Sequence, residues 1–274
     1  MNLFGHLFRS TIGRKFLMAV TGVVLILFVI GHLIGNLQVF EAPDKINGYA
    51  HFLQSLGPTL WFVRGILLVC VGIHIWAATV LALESRRALG AEPRGVKTWL
   101  QATLASRYMR WTGYVVLAFI LYHLAQFTVG SAQSATFKEN LPHYTMAADY
   151  RVLGFTVVRS GTEVLDVRSM VILGFQNRAV ALFYILAVGL LSLHLLHGAE
   201  SLFQTLGWRN ARWAGGLRAV VTLGCAAYFL GNLAIPGAVL AGVLTPRVAG
   251  NIAQRVGDPP SPGYVGHRNA LHPR

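Results

Sequence analysis

Five long apolar runs dominate the chain, at about 14–40, 58–83, 108–130, 178–206 and 217–243. Each is near or above the ~20 residues a helix needs to cross a bilayer core. The polar stretches between them are short except for one, about 131–177. This pattern predicts an all-α membrane protein of five transmembrane helices, the first four forming a bundle. The first run follows Arg9, Arg14 and Lys15, as the core of a signal peptide would, but it is too long for that and no Ala-x-Ala site follows it. It therefore reads as an anchor. The 131–177 connection alternates polar and apolar residues through Tyr150–Ile172 without a clear period, and is expected on the outer surface as a short helix or hairpin. No internal repeat and no second domain stands out. Residues 1–243 read as one transmembrane unit and 244–274 as an extramembrane, irregular tail, because the Asp258-Pro-Pro-Ser-Pro-Gly263 run cannot continue a helix or strand.

Composition agrees with the membrane reading. Of the 274 residues 54% are hydrophobic and 12% charged, with mean hydropathy +0.54, against roughly 25% charged in soluble domains. The net charge of +13 would suggest nucleic acid in a soluble protein. Here the basic residues cluster at the ends of apolar runs, which is the pattern of topology signals and lipid-headgroup contacts, and nucleic-acid binding is not expected. Arg9, Arg14 and Lys15 precede the first run; Arg86, Arg87, Arg94, Lys97, Arg107 and Arg110 fill the second connection; Arg209, Arg212 and Arg218 fill the fourth. The first connection, 41–57, offers only Lys45 against Glu41 and Asp44. The positive-inside rule then puts the N-terminus in the cytoplasm and the C-terminus outside. The tail's Arg247, Arg255, Arg268 and Arg274 pull the other way, but they are sparse and spread out.

Six of the ten histidines lie within or beside the runs: His32, His51, His74, His123, His194 and His197. An ionisable side chain at membrane depth is costly and usually faces the protein interior. At 1.5 Å per residue, His32 and His123 lie ~27 and ~22 Å from the inner starts of their helices, toward the outer face. The second and fourth helices run the other way, so His74 and His194, ~22–24 Å from their outer starts, lie toward the inner face. The four form two pairs, each at one depth on two helices. Two neutral imidazoles facing each other are what a six-coordinate haem iron requires. On spacing alone His197 is as good a partner as His194, since i and i+3 share a helix face.

Gly31, Gly35, Gly72, Ala77, Ala78, Gly189 and Gly198 flank the histidines, as a flat macrocycle would demand, although close helix packing asks for the same residues. Zinc is a weaker reading: it would want three or four ligands at one depth, and only Glu84 and Glu200 come near, at the inner ends. Cys70 and Cys225 sit inside apolar runs, and no Cys-x-x-Cys-His is present to attach haem covalently. Arg64 and Arg110 are candidates to pair with haem propionates; Arg64 could equally snorkel to headgroups, and Arg110 serve as a topology charge. A transporter or proton channel with a histidine relay would want acidic residues deep in the spans and broken helices. The only interruption is Pro236, in the one span without histidine.

Together the motifs resemble a known family, the dihaem cytochrome b membrane anchor of succinate dehydrogenases and fumarate reductases (succinate:quinone oxidoreductases) in its single-chain five-helix form. The stretches that carry the resemblance are Ser10-Thr-Ile-Gly-Arg-Lys-Phe-Leu-Met-Ala-Val-Thr-Gly22, Gly31-His-Leu-Ile-Gly-Asn-Leu-Gln38, Tyr49-Ala-His-Phe-Leu-Gln-Ser-Leu56, Gly72-Ile-His74, Arg110-Trp-Thr-Gly113 leading to Tyr122-His123, and His194-Leu-Leu-His-Gly-Ala-Glu-Ser-Leu-Phe-Gln-Thr-Leu-Gly207. They run in order over about residues 9 to 235. The resemblance implies two haems b, the outer held by His32 and His123 and the inner by His74 and His194. It prefers His194 to His197, which becomes a neighbour of the ligand. It also implies a bacterial plasma membrane, and a flavoprotein and an iron-sulfur subunit at the cytoplasmic face to do the succinate chemistry. Electrons then pass to or from a quinone, commonly menaquinone.

The chain itself has no nucleotide-binding glycine fingerprint and no iron-sulfur cysteine cluster. Where some fumarate-reducing members carry a glutamate near the outer quinone pocket, this chain offers His51 and Gln54, which become quinone-contact candidates beside the plainer role of closing the 41–57 loop. The long outer connection and basic tail are places where an additional small subunit could bind. Cytochrome b subunits of formate dehydrogenases or hydrogenases share the paired histidines but not these motifs.

Overall fold

The computed structural model describes residues 3–88 and 104–247, which fold into eight α-helices and four short strands. The helices are α1 (Leu3–Arg9), α2 (Thr11–Leu37), α3 (Pro43–Ser55), α4 (Pro58–Ala88), α5 (Leu104–Leu124), α6 (Val167–Gln176), α7 (Arg178–Thr205) and α8 (Ala214–Leu240). The strands are β1 (Tyr144–Thr145), β2 (Tyr150–Val152), β3 (Phe155–Val158) and β4 (Glu163–Val164). Five helical segments are long and apolar enough to cross a membrane: Thr11–Phe40, Pro58–Arg87, Tyr108–Val129, Arg178–Thr205 and Ala214–Leu240. The protein has the character of a multi-pass membrane protein, and the spans fall where the apolar runs predict them. Arg94 and Lys97 of the second connection, and the tail beyond Arg247, lie outside the described residues.

Local chemistry sets the helix ends. Ser10 caps α2 by accepting from the Gly13 N–H, and Asn177 caps α7 by accepting from the N–H groups of Ala179 and Val180. Helix α5 ends in one wide π-helical turn, Ala125–Val129, stopped at Gly130. Gly130 takes a left-handed φ of 81°, and a Cβ there would lie 2.5 Å from the Phe137 ring, so only glycine fits this turn. Helix α4 packs along α2, α5 along α7, and α8 along α7, with lesser contact of α2 with α7 and α8. Glu84 of α4 pairs with Arg14 of α2, and Glu200 of α7 with Arg218 of α8 at 3.2 Å.

The connections differ from their expected form. Residues 43–55 are a helix rather than a loop, begun by Pro43 in its first turn with Asp44 beside it. Its buried positions mix the polar Asp44 and Asn47 with Ile46 and Gly48. Asp44 accepts from the Tyr144 hydroxyl at 3.1 Å and from the Ala147 and Ala148 N–H groups at 2.6 and 3.3 Å. Burial, then this hydrogen bond to Asp44, raises the Tyr144 pKa above the ordinary phenol value. Asn47 is fully buried; it donates to Asp166 at 3.4 Å and accepts from the Arg168 N–H at 2.9 Å.

The 131–177 connection holds two small antiparallel sheets, β1 with β4 and β2 with β3, and then α6. It is not a surface segment throughout. Met170, Val171, Ile172 and Phe175 of α6 are buried in the main core with Tyr184, Val188 and Ile235, because α6 is wedged among α3, α7 and α8. With Ser169 and Gly174 also buried, α6 is covered on more than one side. The start of the expected tail belongs to the same layer: Leu244 is buried, the Thr245 carbonyl accepts from Arg168 at 3.2 Å, and the Arg247 guanidinium lies 4.9 Å over the Tyr144 ring. Helix α3, the sheets, α6 and residues 244–247 thus form one extramembrane layer at one end of the spans.

Candidate functional site

Helices α2, α4, α5 and α7 bring four of the histidines together in two pairs. His32 of α2 and His123 of α5 have ring centres 5.6 Å apart, nearly perpendicular at 85°. His74 of α4 and His194 of α7 stand 6.4 Å apart at 57°. His32 and His123 are the near pair, next to the extramembrane layer, and His74 and His194 the far pair. The depth arithmetic paired them in this way. Of the two histidines on α7, His194 is the one opposite His74; His197 lies one turn further on, toward Glu200.

The surroundings of the far pair come from a short repeat. Helix α2 carries Thr21-Gly22 and, eleven residues after the threonine, His32; α5 carries Thr112-Gly113 and, again eleven residues on, His123. Eleven residues are close to three helical turns, so threonine and histidine share a face ~16 Å apart along each helix. The first level of that face meets the far pair. Thr21 Oγ1 is 3.3 Å from His74 Nδ1, and Thr112 Oγ1 is 3.4 Å from His194 Nδ1. A Cβ built on Gly22 would sit 3.7 Å from the His74 ring, and one on Gly113 3.6 Å from His194. The second level is the near pair itself. The repeat is only three chemical positions long, Thr-Gly followed by His, which is why it does not stand out among apolar neighbours.

The near pair is enclosed differently. Tyr184 of α7 lies with its hydroxyl 3.3 Å from His123 Nδ1 and donates to Gln126 Oε1 at 2.7 Å. Gln126, in the π-helical turn, donates to Gln133 Oε1 at 2.7 Å, and Gln133 donates to the Gly174 carbonyl of α6 at 3.4 Å. His32 instead stacks on Phe28, ring centres 5.4 Å apart at 23°. Phe119, Phe127 and Tyr184 surround His123 at 5.8, 5.6 and 6.0 Å.

This arrangement fits a metal shared by two imidazoles. Two rings that hold one metal between them, ~2 Å from each nitrogen, have centres roughly 6 Å apart; the pairs stand at 5.6 and 6.4 Å. None of the four is sealed in packing, His32 being exposed and the others half-buried. The two helices of each pair are not among the closely packed helix pairs of the described residues. Nor do three or more of His, Cys, Asp and Glu converge anywhere among the described residues, as a site made of protein ligands alone would need.

Other expected features are placed elsewhere. Gly35 accommodates Tyr49, whose ring would lie 2.6 Å from an added Cβ, and Gly189 faces Phe229 at 3.5 Å; Cβ atoms on Gly31, Gly72 or Gly198 would meet nothing within 4 Å. The glycines that face histidine rings are Gly22 and Gly113. Arg64 lies over the Trp61 ring at 4.9 Å, and Arg110 is exposed at the start of its span. His51 and Gln54 share a face of α3, His51 half-buried and Gln54 exposed, and no hydrogen bond among the described residues joins either to a histidine pair. Set against models of protein families, curated proteins and solved structures, the chain matches none of them.

Proposed function

We propose that this chain is the membrane anchor and electron-transfer subunit of a succinate:quinone oxidoreductase, holding two b-type haems between its first four spans. The observation that carries the reading is the pair of histidine pairs: four imidazoles on four helices, at two levels ~16 Å apart along the spans, each facing one other imidazole at a distance one metal can bridge. His32 and His123 would hold the near haem, and His74 and His194 the far one. Bound there, each haem supplies one-electron exchange at its iron. The chain's own residues orient the ligands and set the spacing of the two levels. Gly22 and Gly113 keep side chains off the far rings, and Arg64 and Arg110 are the cations proposed for propionates at the near and far ends.

The resemblance of the motifs supports the partners: a flavoprotein and an iron-sulfur subunit on the cytoplasmic side, where the far pair and the N-terminus are placed by the positive-inside rule. The quinone, proposed to be menaquinone, would exchange electrons at the near end, with His51 and Gln54 as contacts. The extramembrane layer then lies on the outer face and offers a surface to a small additional subunit.

The test is a dithionite-reduced minus oxidised spectrum of the purified chain, with a pyridine haemochrome count. A value near two haems per chain is expected, and zero sinks the reading in favour of a histidine relay. Identifying the co-purifying subunits decides the complex: a covalent-flavin protein is expected, and a molybdopterin or nickel-iron partner would mean a formate dehydrogenase or hydrogenase cytochrome instead.

A further inference from the structure

Three hydroxyl groups touch the histidines, and the direction of each hydrogen bond can be worked out from the atom that anchors it. Thr21 Oγ1 lies 2.8 Å from the Leu17 carbonyl and 3.2 Å from that of Met18, and Thr112 Oγ1 lies 2.9 Å from the Met109 carbonyl. A backbone carbonyl can only accept. The single proton of each threonine hydroxyl therefore goes to its own helix, and what it offers the facing ring is a lone pair. For Tyr184 the anchor is more remote. The Gly174 carbonyl accepts from Gln133, which turns the Gln133 oxygen toward Gln126 and the Gln126 oxygen toward the tyrosine, so Tyr184 must donate to Gln126. It too has only a lone pair left for His123.

We infer that Thr21, Thr112 and Tyr184 are positioning residues that fix His74, His194 and His123 as the Nδ1–H tautomer and so leave Nε2 as the nitrogen free to bind metal. The opposite tautomer would need each hydroxyl to turn its proton from an acceptor at 2.7–2.9 Å to a nitrogen at 3.3–3.4 Å. That exchange gives up the shorter bond for a longer one, and at the far pair it would also turn a ring lone pair toward the backbone carbonyls of Met18, at His74, and Met109, at His194, which accept from those rings. A hydroxyl acceptor also differs from the carboxylate that often sits behind a metal-bound histidine: it orients the ring without placing a charge beside it. The near and far levels are served by different residues, two threonines for the far pair and one tyrosine for the near pair.

The inference rests on the proposed haem function for its first test, on haem potentials, and not for its second, on the haem-free chain. In the purified complex, Thr21→Val and Thr112→Val are nearly isosteric and remove one acceptor each, and Tyr184→Phe removes the third. Loss of the acceptor makes the imidazole a poorer donor and favours the reduced iron, so the far haem's midpoint potential should rise in either threonine variant with the near haem unmoved, and Tyr184→Phe should do the reverse. A tenfold change in the preference for the reduced state reads as about 59 mV for one electron. Thr21→Ser and Thr112→Ser, which keep the hydroxyl, should restore the wild-type value. A valine variant that loses its haem and regains it as serine also supports the inference; two haems at unchanged potentials in all three variants, or a loss that serine does not restore, overturns it.

Should the wild-type chain hold no haem, the functional proposal fails and the tautomers can still be read. Nitrogen-15 shifts of histidine in the haem-free full chain should then show protonated Nδ1 at His74, His123 and His194, and a larger share of the other tautomer in the phenylalanine variant than in the valine variants, where the Met18 and Met109 carbonyls still accept. Protonated Nε2 in the wild type would overturn the inference.

Discussion

At the far level both histidines meet threonine hydroxyls supplied by neighbouring spans, and glycines beside those threonines leave room at the rings. At the near level His123 meets a tyrosine at the head of a chain through Gln126 and Gln133 to the backbone of α6, while His32 lies on a phenylalanine face. The far site is thus built within the spans, and the near site is tied to the extramembrane layer. The lesson is one of separability. A change in the layer should reach the near pair and leave the far pair alone, and the reverse should hold for changes around the Thr-Gly dipeptides.

The largest effects are expected at the four histidines proposed to hold the haems. Alanine at His32 or His123 should halve the haem count by removing the near haem, and alanine at His74 or His194 should halve it by removing the far one, as seen in the two components of a low-temperature reduced spectrum. His197→Ala should keep both. A variant at one level that loses both haems would show that the levels fold as one unit, and a far haem lost with His197 but not with His194 would mean the wrong histidine of α7 had been paired with His74.

Next come the glycines. The Cβ of alanine at Gly22 or Gly113 would rest in ordinary contact with a far ring, at 3.7 or 3.6 Å, so Gly→Ala should be tolerated. The added methyls of valine must push the ring aside; overpacking of that kind costs about 1–3 kcal/mol, or roughly tenfold in haem retention per 1.4 kcal/mol. Gly22→Val and Gly113→Val should therefore deplete the far haem on a desalting column and leave the near one. Equal depletion of both would break the separation.

How much of this was legible in the sequence differs by level of structure. The spans were, because an apolar run of this length has little else it can do. The pairing of His32 with His123 and His74 with His194 was too, since a fixed rise converts residue number into depth. The acceptors behind the rings were not, although Thr21 and Thr112 stand in the quoted motifs, because a threonine in a span usually bonds only to its own helix and nothing in one sequence says which face meets which ring. The flanking glycines misled for the same reason: Gly35 and Gly189 face Tyr49 and Phe229. Helices α3 and α6 were hidden because α3 buries paired polar groups such as Asp44 and Asn47, and α6 is covered on several sides.

A smaller change tests the tie between layer and near pair directly. A Cβ on Gly174 would sit 3.0 Å from Gln126 Nε2 and 3.3 Å from Gln133 Oε1, tight but against the ends of side chains that can give. Gly174→Ala should fall at the low end of the overpacking range, about 1 kcal/mol, and lower the melting temperature by roughly 2–4 °C. It should also shift the near haem's potential, by displacing Gln126 from Tyr184, with the far potential constant. A shift at the far haem alone would contradict the chain drawn through α6.

The finest comparison is between the two arginines. Arg64 belongs to the near end and stacks on Trp61 at 4.9 Å, whereas Arg110 is exposed at the far end of α5. If each faces a propionate, Arg64→Gln removes a cation beside the near site, favours the oxidised iron there and lowers its potential. The interaction is worth about 0.5–1 kcal/mol for a partly exposed charge and should weaken as salt is raised. Arg110→Gln should lower the far potential by less, because its charge is better solvated. If Arg64 only packs on Trp61 and the headgroups, both potentials stay put, and the variant shows instead a small loss of stability of the same order, since a cation over an exposed ring contributes about 0.5–1 kcal/mol. Potentiometry at two ionic strengths separates the two, because an electrostatic shift at the near haem shrinks with salt and the loss of a stacking contact moves neither potential.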